Sequence, residues 1–319
     1  MSNSGKKSWT FEQVHEIYHQ AFMDLLFQAH TAHRAHFNPH ELQLSALLSI
    51  KTGACPEDCS YCSQSAHYKS PIQKHKLLDI ETIVEKAKEA QAAGAQRFCM
   101  GAAWRNPPEK EFPKILEIIK EIKALGLETC MTLGMLTQDQ ANALAEAGLD
   151  FYNHNIDTSP EYYQKIISTR SFQDRLDTLA CVEKAGMNSC CGGILGLGES
   201  TEDRISFLHT LANLSEVPKS VPINQLIPSP GTPLENQAPI DNLELVRVIA
   251  TARILMPTSY IRLSAGRNKM SDELHALCFF AGANSIFLGE KLLTAENPDL
   301  TRDYNLWQRL QMQTVSSES

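Results

Sequence analysis

The chain has 319 residues, 43% hydrophobic and 21% charged, with a formal net charge of −8, which suits a folded globular protein of two average domains or one large α/β barrel. The acidic balance, with no block of five like charges, gives no electrostatic reason to bind nucleic acid, and no apolar run approaches the ~20 residues that cross a bilayer. Glu12 and Glu16 are wrong for an Arg-rich transit peptide. The expected location is therefore cytoplasmic, without membrane attachment, where nine cysteines point to metal or catalysis over disulfides.

In chain order, residues 1–44 are expected to form an N-terminal helical extension. It contains HEIYH, His15 to His19, which fits the HExxH pattern of zinc metalloproteases. Six of the eleven histidines fall in the first 40 residues, so a fortuitous match is expected. A protease would also need a third zinc ligand and a cleft, so the segment is read as a solvated helix face. A strand in LLSIKTG, near residues 47–53, opens the next region and leads into KTGACPEDCSYCSQS, with Cys55, Cys59 and Cys62 spaced CxxxCxxC. Asp79 then caps a helix whose apolar positions Ile80, Ile83, Val84 and Ala87 share one face.

From here helical text repeatedly ends in a small residue plus glycine and turns into a short strand. The instances are AQAAGAQRFCMG, IKALGLETCMTLG, LAEAGLDFYNHNID, VEKAGMNSCCGGILG and CFFAGANSIFLG. Gly94, Gly126, Gly148, Gly186 and Gly282 sit where a helix needs a left-handed residue to stop. With SVPINQLIP and YIRLSAG the strands number eight, so the expected fold is an α/β class (β/α)8 TIM-type barrel over residues 45–311, its functional groups at the carboxyl ends of the strands. A doubly wound open sheet is the alternative. Residues 312–319 are expected as a flexible C-terminal tail.

The CxxxCxxC loop suits either a zinc knuckle with a distant fourth ligand or a 4Fe-4S cluster held by three thiolates with one iron open. Following the first barrel strand, it resembles the radical S-adenosylmethionine (SAM) superfamily. That resemblance implies that SAM fills the open iron through its methionyl amine and carboxylate, and that Tyr61 offers its ring to the adenine. In DFYNHNIDT, Asn153, Asn155 and Asp157 share one strand face, a set suited to a neutral amide-like substrate beside a ribose. Cys99, Cys130 and the doublet Cys190–Cys191 lie on three further strands. Singly, each reads as a buried hydrophobe. Together with Arg262 they would converge inside the barrel as a second metal site.

The segments GACPEDCSYC, RFCMGAAW, CMTLG, YNHNIDTSP, GGILGLGE, VPIN and MPTSYIRLSAGR are similar, in order, to those of the biotin synthase family. The resemblance implies sulfur insertion into dethiobiotin, with Cys55, Cys59 and Cys62 holding a 4Fe-4S cluster and Cys99, Cys130, Cys190 and Arg262 holding a 2Fe-2S cluster as sulfur donor. The Gly192–Gly193 register favours Cys190 over Cys191. It further implies that Tyr61, Asn155, Asp157, Gly196, Gly198 and Glu199 contact SAM, and that Asn153, Asn155 and Asn224 contact dethiobiotin. A flavodoxin-like electron donor and a homodimer are family expectations. The alternatives are another radical SAM enzyme, which would have no use for the second cysteine set, and a zinc-stapled binding protein.

Overall fold

A computed structural model describes residues 8–289 and 291–315; residues 1–7 of the expected extension and 316–319 of the expected tail lie outside the described residues. Helices α1 (Phe11–Tyr18) and α2 (Phe22–His36) precede β1 (Glu41–Lys51). Then follow α3 (Ile80–Ala92), β2 (Arg97–Ala102), α4 (Phe112–Ala124), β3 (Glu128–Thr132), α5 (Gln138–Glu146) and β4 (Phe151–Asn153). The chain continues through α6 (Pro160–Ile166), α7 (Phe172–Lys184), β5 (Asn188–Cys190), β6 (Gly193–Leu195), α8 (Thr201–Ala212), β7 (Ser220–Gln225) and α9 (Asn242–Leu255). It finishes with β8 (Tyr260–Leu263), α10 (Asp272–Phe280), β9 (Ser285–Leu288), α11 (Leu300–Leu310) and β10 (Gln313–Thr314).

The strands run β1-β2-β3-β4-β5-β7-β8-β9, and β9 pairs back with β1, so the sheet closes. Every one of these pairings is parallel. Strand β6 pairs with β7 beyond the end of β5, so β5 and β6 are one barrel strand interrupted at Cys191–Gly192. A side chain at Gly192 would put its Cβ 2.0 Å from the Pro222 carbonyl oxygen, and only glycine allows the two backbones to meet there. The barrel thus has eight strand positions, and the open-sheet alternative is overturned by closure between β9 and β1.

Local signals account for the helices. The Asp79 carboxylate accepts from the Thr82 amide at 2.7 Å, and Ile83 and Ala87 of α3 are buried, as are Ile115, Ile118, Ile119 and Ile122 of α4. The five helix-stopping glycines all have positive φ, from 76° to 112°. At Gly282 the reason is also steric, since a Cβ would lie 2.6 Å from the buried Arg253 side chain.

Two expected boundaries move. The first strand begins at Glu41, inside the region read as extension, because Gln43 to Ala46 pair with Ser285 to Leu288 of β9 and Glu41 and Leu42 with Gln313 and Thr314. The tail residues Gln313 and Thr314 are accordingly a short strand. The polar-apolar text ELQL hides this partnership, which comes from chain ends far apart in sequence. The extension docks on the outside of the barrel: Tyr18 donates to Glu244 at 2.8 Å, and Arg247 donates to the carbonyls of Tyr18 and Gln20 at 2.6 and 3.0 Å.

Candidate active site

A cavity of about 290 Å³ opens at the carboxyl ends of the strands and is lined by both cysteine trios. A TIM barrel interior is ordinarily filled by branched apolar side chains. Here Cys99, Cys130 and Cys190 cluster with Phe151 and Phe287, apart from the main core outside the barrel.

The loop after β1 carries Cys55, Cys59 and Cys62. It bends through Gly53 and Ala54, both left-handed at φ 78° and 53°, and closes with the Cys62 amide donating to the Cys59 carbonyl at 2.9 Å. Two acidic residues between the first two cysteines anchor it. Asp58 accepts from the Ser168 and Thr169 amides at 2.9 and 3.1 Å. Burial alone would raise its pKa, but those hydrogen bonds outweigh it and hold the carboxyl at about 2. Glu57, buried, accepts from Arg105 at 2.9 Å and from the Thr169 hydroxyl. Arg170, next in that segment, places Nη2 3.8 Å from Cys59 Sγ. Burial pushes all three loop thiols up, Cys62 to about 12.

The inner trio is assembled by strand register. Cys99 and Cys130 are directly opposed on β2 and β3, and Cys190 ends β5 opposite Asn153. Cys130 is hydrogen-bonded to both other thiols, which lowers Cys99 and Cys190 and raises Cys130 itself; the nearby Arg262 and Arg97 pull the first two further down. Arg262 donates to Ser285 and Ser45 at 2.9 Å each and to Gln43 at 3.2 Å, and its guanidinium lies 4.6 Å over the Phe287 ring. Cys191 is also fully buried, but it packs in the outer core. In a strand, neighbours face opposite ways, so only Cys190 reaches the cavity.

Asn153, Asn155, Asp157 and Asn224 all line the cavity. Regular strand structure stops at Asn153, yet the shared face persists because residues 154–157 keep bonding to 190–192, through His154 to the Cys190 carbonyl and Ile156 to that of Gly192. Asn153 donates to Asn155 at 3.2 Å and to Cys190 Sγ at 3.4 Å, and accepts from Thr132 at 3.0 Å. Asn224 donates to the Gly193 carbonyl at 3.0 Å and accepts from the Ala265 amide at 3.2 Å. Asp157 is left-handed at φ 68°, and its Oδ2 takes the Tyr61 hydroxyl at 3.0 Å and the Arg175 guanidinium.

Gly196, Gly198 and Glu199 differ from these: Ile194, and none of the three, is among the cavity-lining residues. The Glu199 carboxylate is turned onto its own turn, accepting from the Gly196 amide and from Arg204, both at 2.9 Å. The sequence reading also missed Arg97, Arg170 and Arg175. Arg97 had a signal, since it stands two residues before Cys99 and shares its strand face. Arg170 and Arg175 lie in and after a loop with no motif, and nothing local marks them.

Both trios fit iron-sulfur groups. Each offers three soft thiols to one enclosed space. Arg97, on the strand face of Cys99 and bonded to Glu128 at 3.0 Å, adds a buried cation next to the inner trio.

The closed barrel, with a CxxxCxxC loop at the mouth of its cavity, defines the radical SAM class of enzymes. Residues 49–211 match the Radical SAM superfamily, and residues 222–313 match the Biotin and Thiamin Synthesis associated domain. The chain is 62% identical over 305 residues to a biotin synthase of Legionella pneumophila strain Paris, covering 96% of this chain and 97% of the relative. It is 60% identical over 310 residues to one of Brucella ovis, covering 97% and 94%. This chain belongs to the biotin synthase family and is a radical SAM sulfurtransferase. Among solved structures, methylornithine synthase shares the fold at a TM-score of 0.82 and 19% identity, covering 98% of this chain and 95% of that one. The FeFe-hydrogenase maturase HydG of Carboxydothermus hydrogenoformans does so at 0.81 and 18%, covering 97% and 76%.

Proposed function

We propose that this chain makes biotin from dethiobiotin with the two cysteine trios holding two different clusters around one reaction chamber. Dethiobiotin presents unactivated C–H bonds, so no side-chain base could begin the reaction by proton abstraction. When bound, a 4Fe-4S cluster with SAM supplies radical chemistry and a 2Fe-2S cluster supplies sulfur. Cys55, Cys59 and Cys62 hold the first, and Cys99, Cys130, Cys190 and Arg262 the second. The observation that carries the reading is that both trios line one cavity.

The protein's own part is to bind, orient and exclude water. Asn153 and Asn224 each offer amide groups to the ureido ring of dethiobiotin, with Asn155 between substrate and SAM. Asp157, held by Tyr61 and Arg175, accepts from the ribose, and Tyr61 stacks on the adenine. The 194–199 segment completes the SAM site through its backbone and Ile194, with Glu199 setting the turn around Gly196 and Gly198. The enzyme works in the cytoplasm as a homodimer and takes electrons from a flavodoxin-like protein. Among the described residues no helix is long and apolar enough to cross a membrane.

Anaerobic iron and acid-labile sulfide analysis of reconstituted protein tests the two-cluster reading. About six irons per chain are expected, and about four would leave only one cluster.

A further inference from the structure

His15 and His19 stand four residues apart at the end of α1, the spacing that puts two imidazoles on one helix face, and their ring centroids are 4.3 Å apart. A third ligand was missing from the sequence segment. The fold provides one: Glu202, in the first turn of α8, places Oε1 3.6 Å from His15 Nε2. One ligand atom from each of His15, His19 and Glu202 lies within 4.8 Å of the other two.

We infer that His15, His19 and Glu202 bind a divalent transition-metal ion, Zn²⁺ being its representative, that pins the N-terminal helix to α8. Metal–nitrogen and metal–oxygen bonds of about 2.0–2.2 Å put ligand atoms about 3.3 Å apart around a tetrahedral ion. Closing from 4.8 Å requires only rotamer adjustment, since His19 and Glu202 are exposed and His15 is half-buried. Two imidazoles and a carboxylate suit borderline ions and are poor for Mg²⁺ or Ca²⁺.

The elements carrying these ligands are already held together by contacts outside the trio. His209 of α8 is 3.0 Å from the Trp9 carbonyl, and Asn213 bonds both the amide and the carbonyl of Trp9 at 3.0 Å. Phe11 meets the His209 ring edge-on at 6.0 Å. The Ser200–Asp203 capping box sets the backbone of the α8 turn that carries Glu202. The ion therefore finds the two helices already docked and has only to draw in the three side chains. Glu16, the glutamate of HEIYH, is exposed and outside the trio, and of the two histidines on the outside of the barrel His15 is half-buried and His19 exposed. The geometry is that of a clamp and not of a hydrolytic centre. Without metal, His15 and Glu202 share only one exposed surface contact, which by itself holds the two helices weakly.

The test uses full-length holoenzyme with its cluster cysteines occupied and the clusters oxidised, so that thiols do not compete. Calorimetric titration with ZnCl₂ should show one site per chain. His15→Ala and His19→Asn should each weaken it at least about tenfold, and Glu202→Gln about tenfold, while Glu16→Gln changes it less than about twofold. With Cu²⁺ as probe, pulsed EPR should count two imidazole nitrogens, and Zn²⁺ should slow amide exchange across Phe11–Tyr18. Unchanged Zn²⁺ affinity in the histidine variants, a Glu16→Gln effect equal to that of Glu202→Gln, coupling to fewer than two imidazoles, or unaltered exchange in α1 would each overturn the proposal. Cluster absorbance, followed in every variant, shows that the fold is intact.

Discussion

Cys55, Cys59 and Cys62 belong to a single loop, whereas Cys99, Cys130 and Cys190 come from three strands and meet through strand register and the curl of the sheet. The two trios share a cavity but not an environment. In the loop, burial dominates and pushes the thiols up. Inside, shared thiol hydrogen bonds and two arginines bring Cys99 and Cys190 down. The outer set is a preformed turn, clasped to Ser168 and Thr169 by Asp58. The inner set is a cross-section of the sheet, and its partners Arg97, Arg262, Ser45 and Ser285 are buried with it. A site built on one loop and a site embedded in the sheet can thus share one chamber, each built by a different order of structure.

The sharpest way to break this comparison is Cys59→Ala. It should abolish formation of 5'-deoxyadenosine and methionine under reducing anaerobic conditions, and with it all biotin. SAM cleavage at the unsubstituted rate would show that the loop is not where the radical is generated.

Cys130→Ala should separate the trios. Biotin formation and 2Fe-2S absorption should be lost, with 4Fe-4S absorption and some SAM cleavage retained; normal biotin output would make Cys130 an ordinary core residue. Arg262→Met should have a smaller effect, shifting the 2Fe-2S spectrum while leaving sulfur insertion above zero, because thiolates are the softer and anionic ligands. An unchanged spectrum would make Arg262 a positioning residue held by Ser45, Gln43 and Ser285.

The smallest effect is expected from Asp58→Asn, which leaves all six thiols in place and weakens only the outer clasp. Losing the charge-assisted bonds should cost about 1 kcal/mol locally, speeding amide exchange at Ser168 and Thr169 about fivefold and leaving the inner trio's absorption unchanged. Because the folded Asp58 pKa is depressed, its contribution is complete above about pH 4 and is lost as pH falls towards 2. Exchange at those amides should therefore become insensitive to the substitution at the acid end.

The sequence alone determined the βα repeat, because glycine stops and apolar helix faces act over one or two turns. It also determined the CxxxCxxC loop, because a few covalently linked residues cannot place their thiols far apart. Alternation in DFYNHNIDT suggests the face shared by Asn153, Asn155 and Asp157, but past Asn153 that face is kept by bonds to residues 190–192. The Gly192–Gly193 register favours Cys190 over Cys191, and the pairing of β5 puts Cys190 on the face that turns inward. Tertiary structure alone decided the rest. The Glu199 carboxylate is taken up by its own turn, bonding the Gly196 amide and Arg204. Arg175 reaches Asp157, Asp58 reaches Ser168, and Glu202 reaches His15 across long stretches of chain. No spacing rule encodes those meetings, because their distances are set by closure of the barrel and by helices docked on its outside.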